Sequence, residues 1–217
     1  ETENIDAIIN EEKKKLVELE LTLNELSKKI SQQRKKVIPV LKSQMEKLLK
    51  DMGMVNTSFK IELYDSDIFL NKGRDKLLFN FSANKGGLLG PLSKTASGGE
   101  LSRIMLALKS ILSNYKNLPT IIFDEIDTGV SGEIANCIGR IMKSMSINMQ
   151  VISITHLPQV AAKANNHLKV FKITRNENTS TKLKNLNFNE RVSEIAEMLS
   201  GDESAVSAYD LAKELLN

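Results

Sequence analysis

Ser97-Gly98-Gly99-Glu100-Leu101-Ser102-Arg103 and, just downstream, Thr120-Ile121-Ile122-Phe123-Asp124-Glu125-Ile126-Asp127 decide how the chain is read. In the first stretch Ser97 can cap a helix and Glu100 can bond back to it, the reciprocal arrangement of a capping box. Gly98 and Gly99 have no side chains to hold another molecule away from the first free backbone N–H groups. Those N–H groups, with the positive end of the helix dipole, favour an anion. Leu101, Ile104, Met105, Leu108, Ile111 and Leu112 share one face at helical spacing, so the helix is well specified. Taken alone, the stretch also fits an ordinary capped helix with a glycine turn.

The second stretch shifts that balance. Thr120 to Phe123 is a short apolar, β-branched run, expected as a buried strand of a parallel sheet. It ends in Asp124 and Glu125, and ligands of open α/β sheets bind outside the carboxyl ends of the strands. Two adjacent carboxylates there can divide the work. One holds Mg²⁺, usually through water, and the other orients and deprotonates an attacking water. A strand followed by a polar turn accounts for Asp124 equally well, but not for Glu125 directly after it.

Around these stretches the 217 residues read as a soluble globular segment; 41% are hydrophobic and 26% charged, enough for one sizeable core and too few for several domains. Aromatic residues make up 5% and Trp is absent, so the core is expected to be aliphatic, filled by Leu, Ile, Val and 8 Met. A single cysteine, Cys137, excludes an internal disulfide framework and fits a reducing compartment. It lies among Ile134, Ile138, Ile141 and Met142 at helical spacing, as a packing residue does. No apolar run is long enough to span a bilayer, and no signal peptide is recognisable. The net charge of +3 is too small to argue for nucleic acid by itself.

The chain starts at Glu1, without methionine, inside a repeating pattern, and is expected to be a fragment. Ile5, Ile9, Leu16, Leu19, Leu23, Leu26 and Ile30 follow heptad steps, interrupted once at Glu12, and Val37, Leu41 and Leu48 continue the phase. The series suggests a coiled coil over residues 1–50, with a long amphipathic helix on its own domain as the alternative. Pro39 is expected to kink or break it. Nothing later in the sequence supplies a partner strand.

From Thr57 to Asn84 the period becomes two: Ser58 to Tyr64 and Leu77 to Ser82 alternate as half-buried strands, with Asp65 to Lys76 expected as a polar loop between them. A small antiparallel sheet follows from this. After Asp127 come the glycine-rich Thr128-Gly129-Val130-Ser131-Gly132 and a helix from about Glu133 to Met145. Gln150 to Thr155 is the next buried strand, ending in His156-Leu157-Pro158. A lone His after a strand is more often structural. At the same end of a parallel sheet as Asp124 and Glu125, it becomes a candidate contact to a terminal phosphate. A hairpin follows, His167 to Thr174 and Thr181 to Leu186, and Lys163, Lys169, Lys172, Arg175, Lys182 and Lys184 make this region basic. Lysine-rich edges block strand-to-strand aggregation, and a single aromatic, Phe171, is no series of stacking residues, so structure is favoured over nucleic-acid contact. Helices over Glu190 to Leu199 and Ser204 to Leu216 close the chain.

Together these residues resemble an ABC-type ATPase head of the SMC-like family. Ser97-Gly98-Gly99-Glu100 resembles the signature motif, Thr120 to Glu125 a Walker B strand with its catalytic glutamate, Ile126-Asp127-Thr128-Gly129 the D-loop, and Ile154-Thr155-His156 the switch strand. Phe81-Ser82-Ala83-Asn84, Ala96 to Arg103, Phe123 to Gly132 and Ile154 to Ala161 resemble, more narrowly, the bacterial DNA-repair branch of that family. The implied fold is α/β: the C-terminal half of an ABC/SMC-type head, a mainly parallel sheet flanked by helices, with a coiled-coil stub over 1–50 and the C-terminal lobe over 51–217.

The resemblance implies ATP and Mg²⁺ as cofactors, Asp124 as the Mg²⁺ ligand through water, and Glu125 as the residue polarising water. It also implies that His156 contacts the γ-phosphate and that Asp127 links two active sites across a dimer. Ser97, Gly98, Gly99 and Glu100 would face the nucleotide held by the opposite head, in a homodimer that sandwiches two ATP molecules and moves coiled-coil arms on DNA. A cytoplasmic, nucleoid-associated protein of double-strand-break repair follows. One departure is plain: no G-x-x-x-x-G-K-[ST] loop and no Gly-Lys dipeptide exist to cradle the α- and β-phosphates. In this family that loop lies in the N-terminal half, so the fragment is expected to need that half and to be inactive alone. The alternatives are a non-catalytic dimerisation and scaffolding module, and the head of another SMC-like repair ATPase.

Overall fold

The computed structural model describes residues 2–115, 118–127, 129–175, 178–200 and 206–217. The chain divides into two compact units. One comprises residues 1–46 and 56–95, the other residues 47–55 and 96–217. The sequence-based boundary at residue 50 instead assigned the antiparallel strands to the second lobe.

The first unit contains most of α1 (Thr2–Asp51), with β1 (Ser58–Leu70), β2 (Gly73–Ser82), β3 (Gly90–Pro91) and α2 (Leu92–Thr95). Helix α1 runs unbroken through Pro39. Proline removes one backbone hydrogen bond, but the flanking heptads continue the helix on both sides. Ile5, Ile9, Leu16, Leu19, Leu23, Leu26, Ile30 and Val37 are all exposed, so the heptad seam lacks a cover among the described residues.

Strands β1 and β2 pair antiparallel, Phe59 opposite Phe81 and Ile61 opposite Phe79. The rings of Phe59 and Phe81 lie 5.4 Å apart and, with Met45, form the buried centre of the unit. The polar loop expected over Asp65 to Lys76 is instead mostly strand, turning between Leu70 and Gly73 with an irregular register after Asp65. Polar cross-links hold it extended. Arg34 bonds Asp75 at 2.7 Å and the Lys72 carbonyl at 2.7 Å, and Arg74 donates to the Ser66 carbonyl at 2.8 Å.

The second unit carries α3 (Gly98–Ser113), β4 (Thr120–Asp124), α4 (Gly132–Met145), β5 (Gln150–Ile154), α5 (Pro158–Ala162), β6 (Leu168–Arg175), β7 (Asn178–Asn185), α6 (Phe188–Ser200) and α7 (Val206–Leu216). Strands β4 and β5 are parallel, Thr120 opposite Gln150 through Asp124 opposite Ile154, with α4 as the crossover. Parallel pairing is confined to these two strands among the described residues; β6 and β7 form an antiparallel hairpin.

Helix α4 turns Ala135, Ile138, Ile141, Met142 and Met145 inward against α3, α5 and β5. Gly139 lets α5 approach: a Cβ there would stand 3.2 Å from the Gln159 carbonyl. A second aliphatic cluster joins α5 to α6 and α7 through Ala161, Ala162, Val192, Ile195, Ala196, Ala208 and Ala212.

The strands differ from expectation on one point. Of the Thr120 to Phe123 run only Phe123 is buried; Ile122 is 63% exposed, and across the pair Ile152 and Ile154 are 41% and 55% exposed. An apolar β-branched run needs cover on both faces. Among the described residues one face stays open.

Candidate functional site

Helix α3 begins as its sequence dictates. Ser97 is extended at φ −67°, ψ 164°; its hydroxyl accepts from the Glu100 N–H at 3.4 Å, and the Ser97 N–H donates to Glu100 Oε2 at 2.8 Å. The reciprocal pair satisfies two terminal groups, and the Gly98 and Gly99 amides remain at the helix start. Gly98 is exposed, and a Cβ built on it would meet nothing within 4 Å. The helix opening is therefore accessible to a second molecule.

At the carboxyl end of β4, Asp124 lies beside Ile154 in the parallel register. The Glu125 N–H continues the ladder to the Ile154 carbonyl at 3.2 Å. Glu125 itself adopts φ +48°, the only non-glycine residue in the left-handed region among those described. Such a conformation costs about 1–2 kcal/mol for an L-residue without compensation. It turns the chain sharply at the sheet tip. Asp124 and Glu125 are exposed there, and His156, two residues beyond the end of β5, is exposed at the same end.

Asp127 behaves differently. Expected to reach across a dimer, it is only 1% exposed. Its Oδ2 accepts a hydrogen bond from the Thr155 hydroxyl of the same chain, and its Oδ1 is buried without a partner. Thr155 was singled out in the sequence only as part of the Ile154-Thr155-His156 run. The available signal was its hydroxyl directly before His156, but the partner lies 28 positions away. Thr128, named in the glycine-rich loop, lies outside the described residues.

No cluster of three His, Cys, Asp or Glu side chains exists among the described residues. Mg²⁺ does not require one, because it is commonly held by one or two carboxylates, several waters and substrate phosphates. The exposed Asp124–Glu125 pair fits that donor set; a closed protein cage for a metal does not fit it.

Two lysines of the basic hairpin are paired with acids of α6. Lys169 pairs with Glu194 and, at 3.0 Å, with Glu197; Lys184 pairs with Glu190 at 2.7 Å. Hydrogen bonds to Glu194 and then Glu197 raise the Lys169 ammonium above its ordinary value. Burial lowers His167, only partly opposed by the Glu194 charge. The Lys169 and Lys184 pairs hold the hairpin to α6.

No helix among the described residues is long and apolar enough to cross a membrane. No family model matches the chain. Sequence comparison finds DNA repair protein RecN of Halalkalibacterium halodurans, 37% identical over 225 residues, covering 99% of this chain and 40% of that protein. RecN of Rickettsia typhi is 44% identical over 177 residues, covering 82% and 32%. RecN of Bacillus subtilis is 38% identical over 229 residues, covering 99% and 40%. The chain thus spans about a third to two fifths of the length of these curated relatives. Among solved structures, the Smc head domain with a coiled coil and joint from Pyrococcus yayanosii superposes with a TM-score of 0.62 at 19% identity, covering 82% of this chain and 32% of that one. The Smc head domain with an extended coiled coil from Pyrococcus furiosus gives 0.56 at 19% identity, covering 82% and 42%. At 37–44% identity to these relatives over 82–99% of its length, the chain belongs to the RecN family, and its fold has the architecture of an SMC-type head.

Proposed function

We propose that this chain supplies the water-activating half of an ATP-hydrolysing SMC-like head acting in DNA double-strand-break repair. The observation that carries the reading is the convergence of Asp124, Glu125 and His156 at one end of the β4–β5 pair. Glu125 is the general base: its carboxylate takes a proton from water as that water attacks the terminal phosphorus of ATP. The left-handed turn at Glu125 supports this role, since strain at a strand tip aims a side chain that ordinary extended backbone would not. His156 donates a hydrogen bond to the γ-phosphate and stabilises charge developing there. Asp124 holds Mg²⁺ through water, and the ion, when bound, neutralises charge on the β- and γ-phosphate oxygens.

The open start of α3 at Ser97, Gly98, Gly99 and Glu100 receives the phosphate of ATP bound to a second head, so ATP favours a homodimer and hydrolysis releases it. DNA is the proposed substrate of the moving arms, in keeping with the printed name of the relatives. The sequence given holds no phosphate loop, so the chain binds nucleotide poorly without the N-terminal half of the head. The same absence favours one other reading, a non-catalytic dimerisation module; it wins if the full-length gene also lacks the loop. Steady-state ATP hydrolysis by the full-length protein tests the proposal. Glu125→Gln is expected to lower kcat by about a hundredfold or more; unchanged turnover would sink it.

A further inference from the structure

We infer that Asp127 and Thr155 form a clamp that fixes where His156 stands relative to Asp124 and Glu125, making both positioning residues of the site. The inference rests on the ATP-hydrolysing reading but goes beyond it, because it concerns a bond between Asp127 and Thr155 within one head. Asp127 is 1% exposed, and its Oδ2 accepts from the Thr155 hydroxyl. The Thr155 oxygen in turn accepts from the Leu157 N–H at 3.0 Å. A threonine hydroxyl has one proton to give and lone pairs to accept with, and this one uses both capacities.

His156 is the residue between the two anchored positions. Just before it, the Ile154 carbonyl is held by the Glu125 N–H at 3.2 Å, and just after Leu157, Pro158 opens α5. The His156 backbone is therefore tied on one side to β4 through Glu125 and on the other to the Asp127 turn through Thr155. Asp127 is fixed from behind as well, since the Val130 N–H donates to its carbonyl at 3.3 Å.

A carboxylate taken out of water is costly unless it is bonded, and the charge-assisted bond to Thr155 is the compensation on the page. Its other oxygen is buried without a partner. Solvation alone would have turned this side chain outward, as it does Asp124. Burial with a single partner marks a group kept for the geometry it imposes. The displacement tolerated at a reacting centre is small, about 1 Å for a hundredfold change in rate, so a clamp of this kind acts on kcat more than on nucleotide affinity.

The experiment uses the full-length protein with Thr155→Val, Thr155→Ser, Asp127→Asn and Glu125→Gln. Valine matches threonine in shape but neither gives nor accepts a bond; serine keeps the hydroxyl, and asparagine keeps an acceptor. Without nucleotide, amide hydrogen exchange at Leu157 is expected to speed up about tenfold or more in Thr155→Val and to stay near the parent in Thr155→Ser and Asp127→Asn. In ATP hydrolysis, kcat of Thr155→Val is expected to fall by about tenfold or more with KM within about twofold, and Thr155→Ser to restore it. Exchange at Leu157 unchanged by valine, or serine as slow as valine, overturns the clamp. If the valine variant does not fold, Leu157 exchange unchanged by Asp127→Ala, which removes the acceptor of the Thr155 hydroxyl, overturns it instead. Undiminished hydrolysis by Glu125→Gln overturns the ATPase reading separately, because Leu157 exchange does not depend on it.

Discussion

Two pairs of strands in the same unit use their polar residues in opposite ways. In the β6–β7 hairpin two lysines are tied into the structure: Lys169 is held by Glu194 and Glu197, and Lys184 by Glu190. In the β4–β5 pair the acids and the histidine stand exposed at the strand tips, while the one buried acid, Asp127, braces the turn behind them. Charge count alone would have chosen the hairpin as the binding surface. The distinction lies in placement: Lys169 and Lys184 are tied to α6, whereas Asp124, Glu125 and His156 are exposed at the carboxyl ends of parallel strands.

The contrast is broken most severely by exchanging the roles. Glu125→Gln in the full-length protein is expected to reduce ATP turnover by about a hundredfold or more, whereas Lys184→Ala leaves turnover unchanged; equal losses in a steady-state assay would erase the difference. A stability comparison comes next. Ile195, with no exposed surface, packs in the α5–α6–α7 cluster, and Ile195→Ala is expected to cost about 2–4 kcal/mol by denaturant titration. Ile122→Ala, in this chain by itself, is expected to cost well under about 1 kcal/mol, because that side chain is mostly exposed. A third change separates activity from stability at one residue. Glycine accepts φ +48° readily, so Glu125→Gly is expected to stabilise the fold by up to about 1 kcal/mol while abolishing hydrolysis.

The smallest effects are electrostatic, and their signs differ between the units. Lys169 has its folded value raised above 10.5 by Glu194 and Glu197. The stability it contributes is complete below 10.5 and is lost as pH rises through the folded value. Asp75, in the first unit, is shifted downward from 3.8: burial alone would raise it, but hydrogen bonds from Ser31 and Arg34 and the Arg34 and Lys35 charges outweigh burial. Its contribution is present above 3.8 and is lost as pH falls through the lowered value. Thermal melts of Lys169→Ala and Asp75→Asn across pH check both; parent-like alkaline and acid limbs would remove the electrostatic account.

Much of this arrangement was legible in the sequence because it depends on neighbours along the chain. Ser97 and Glu100 are three positions apart, so their reciprocal bonds could be read directly, and the helices and parallel strands follow from periodicity. The missed features depend on partners far away. The strands continuing past Asp65 are held by Arg34 and Arg74, and no hydrophobic alternation announces them. Asp127 is singled out in the sequence through its likeness to a D-loop, but only the fold brings Thr155 against it. The Thr120 to Phe123 run correctly indicated a strand that calls for cover, but an apolar pattern does not say which chain supplies it. Ile122, Ile152 and Ile154 show that the described residues do not. Self-association of the isolated chain through that face or the heptad seam is the expected consequence, and a monomeric sedimentation profile would contradict it.

The most direct measurement is a structure of the full-length protein with Mg²⁺ and a non-hydrolysable ATP analogue. The expected result has the Glu125 carboxylate within one water of the γ-phosphate, Asp124 beside the ion, and the Gly98–Gly99 amides against nucleotide held by a second head. Glu125 turned away from that phosphate, or Gly98 and Gly99 facing no neighbour, would contradict it.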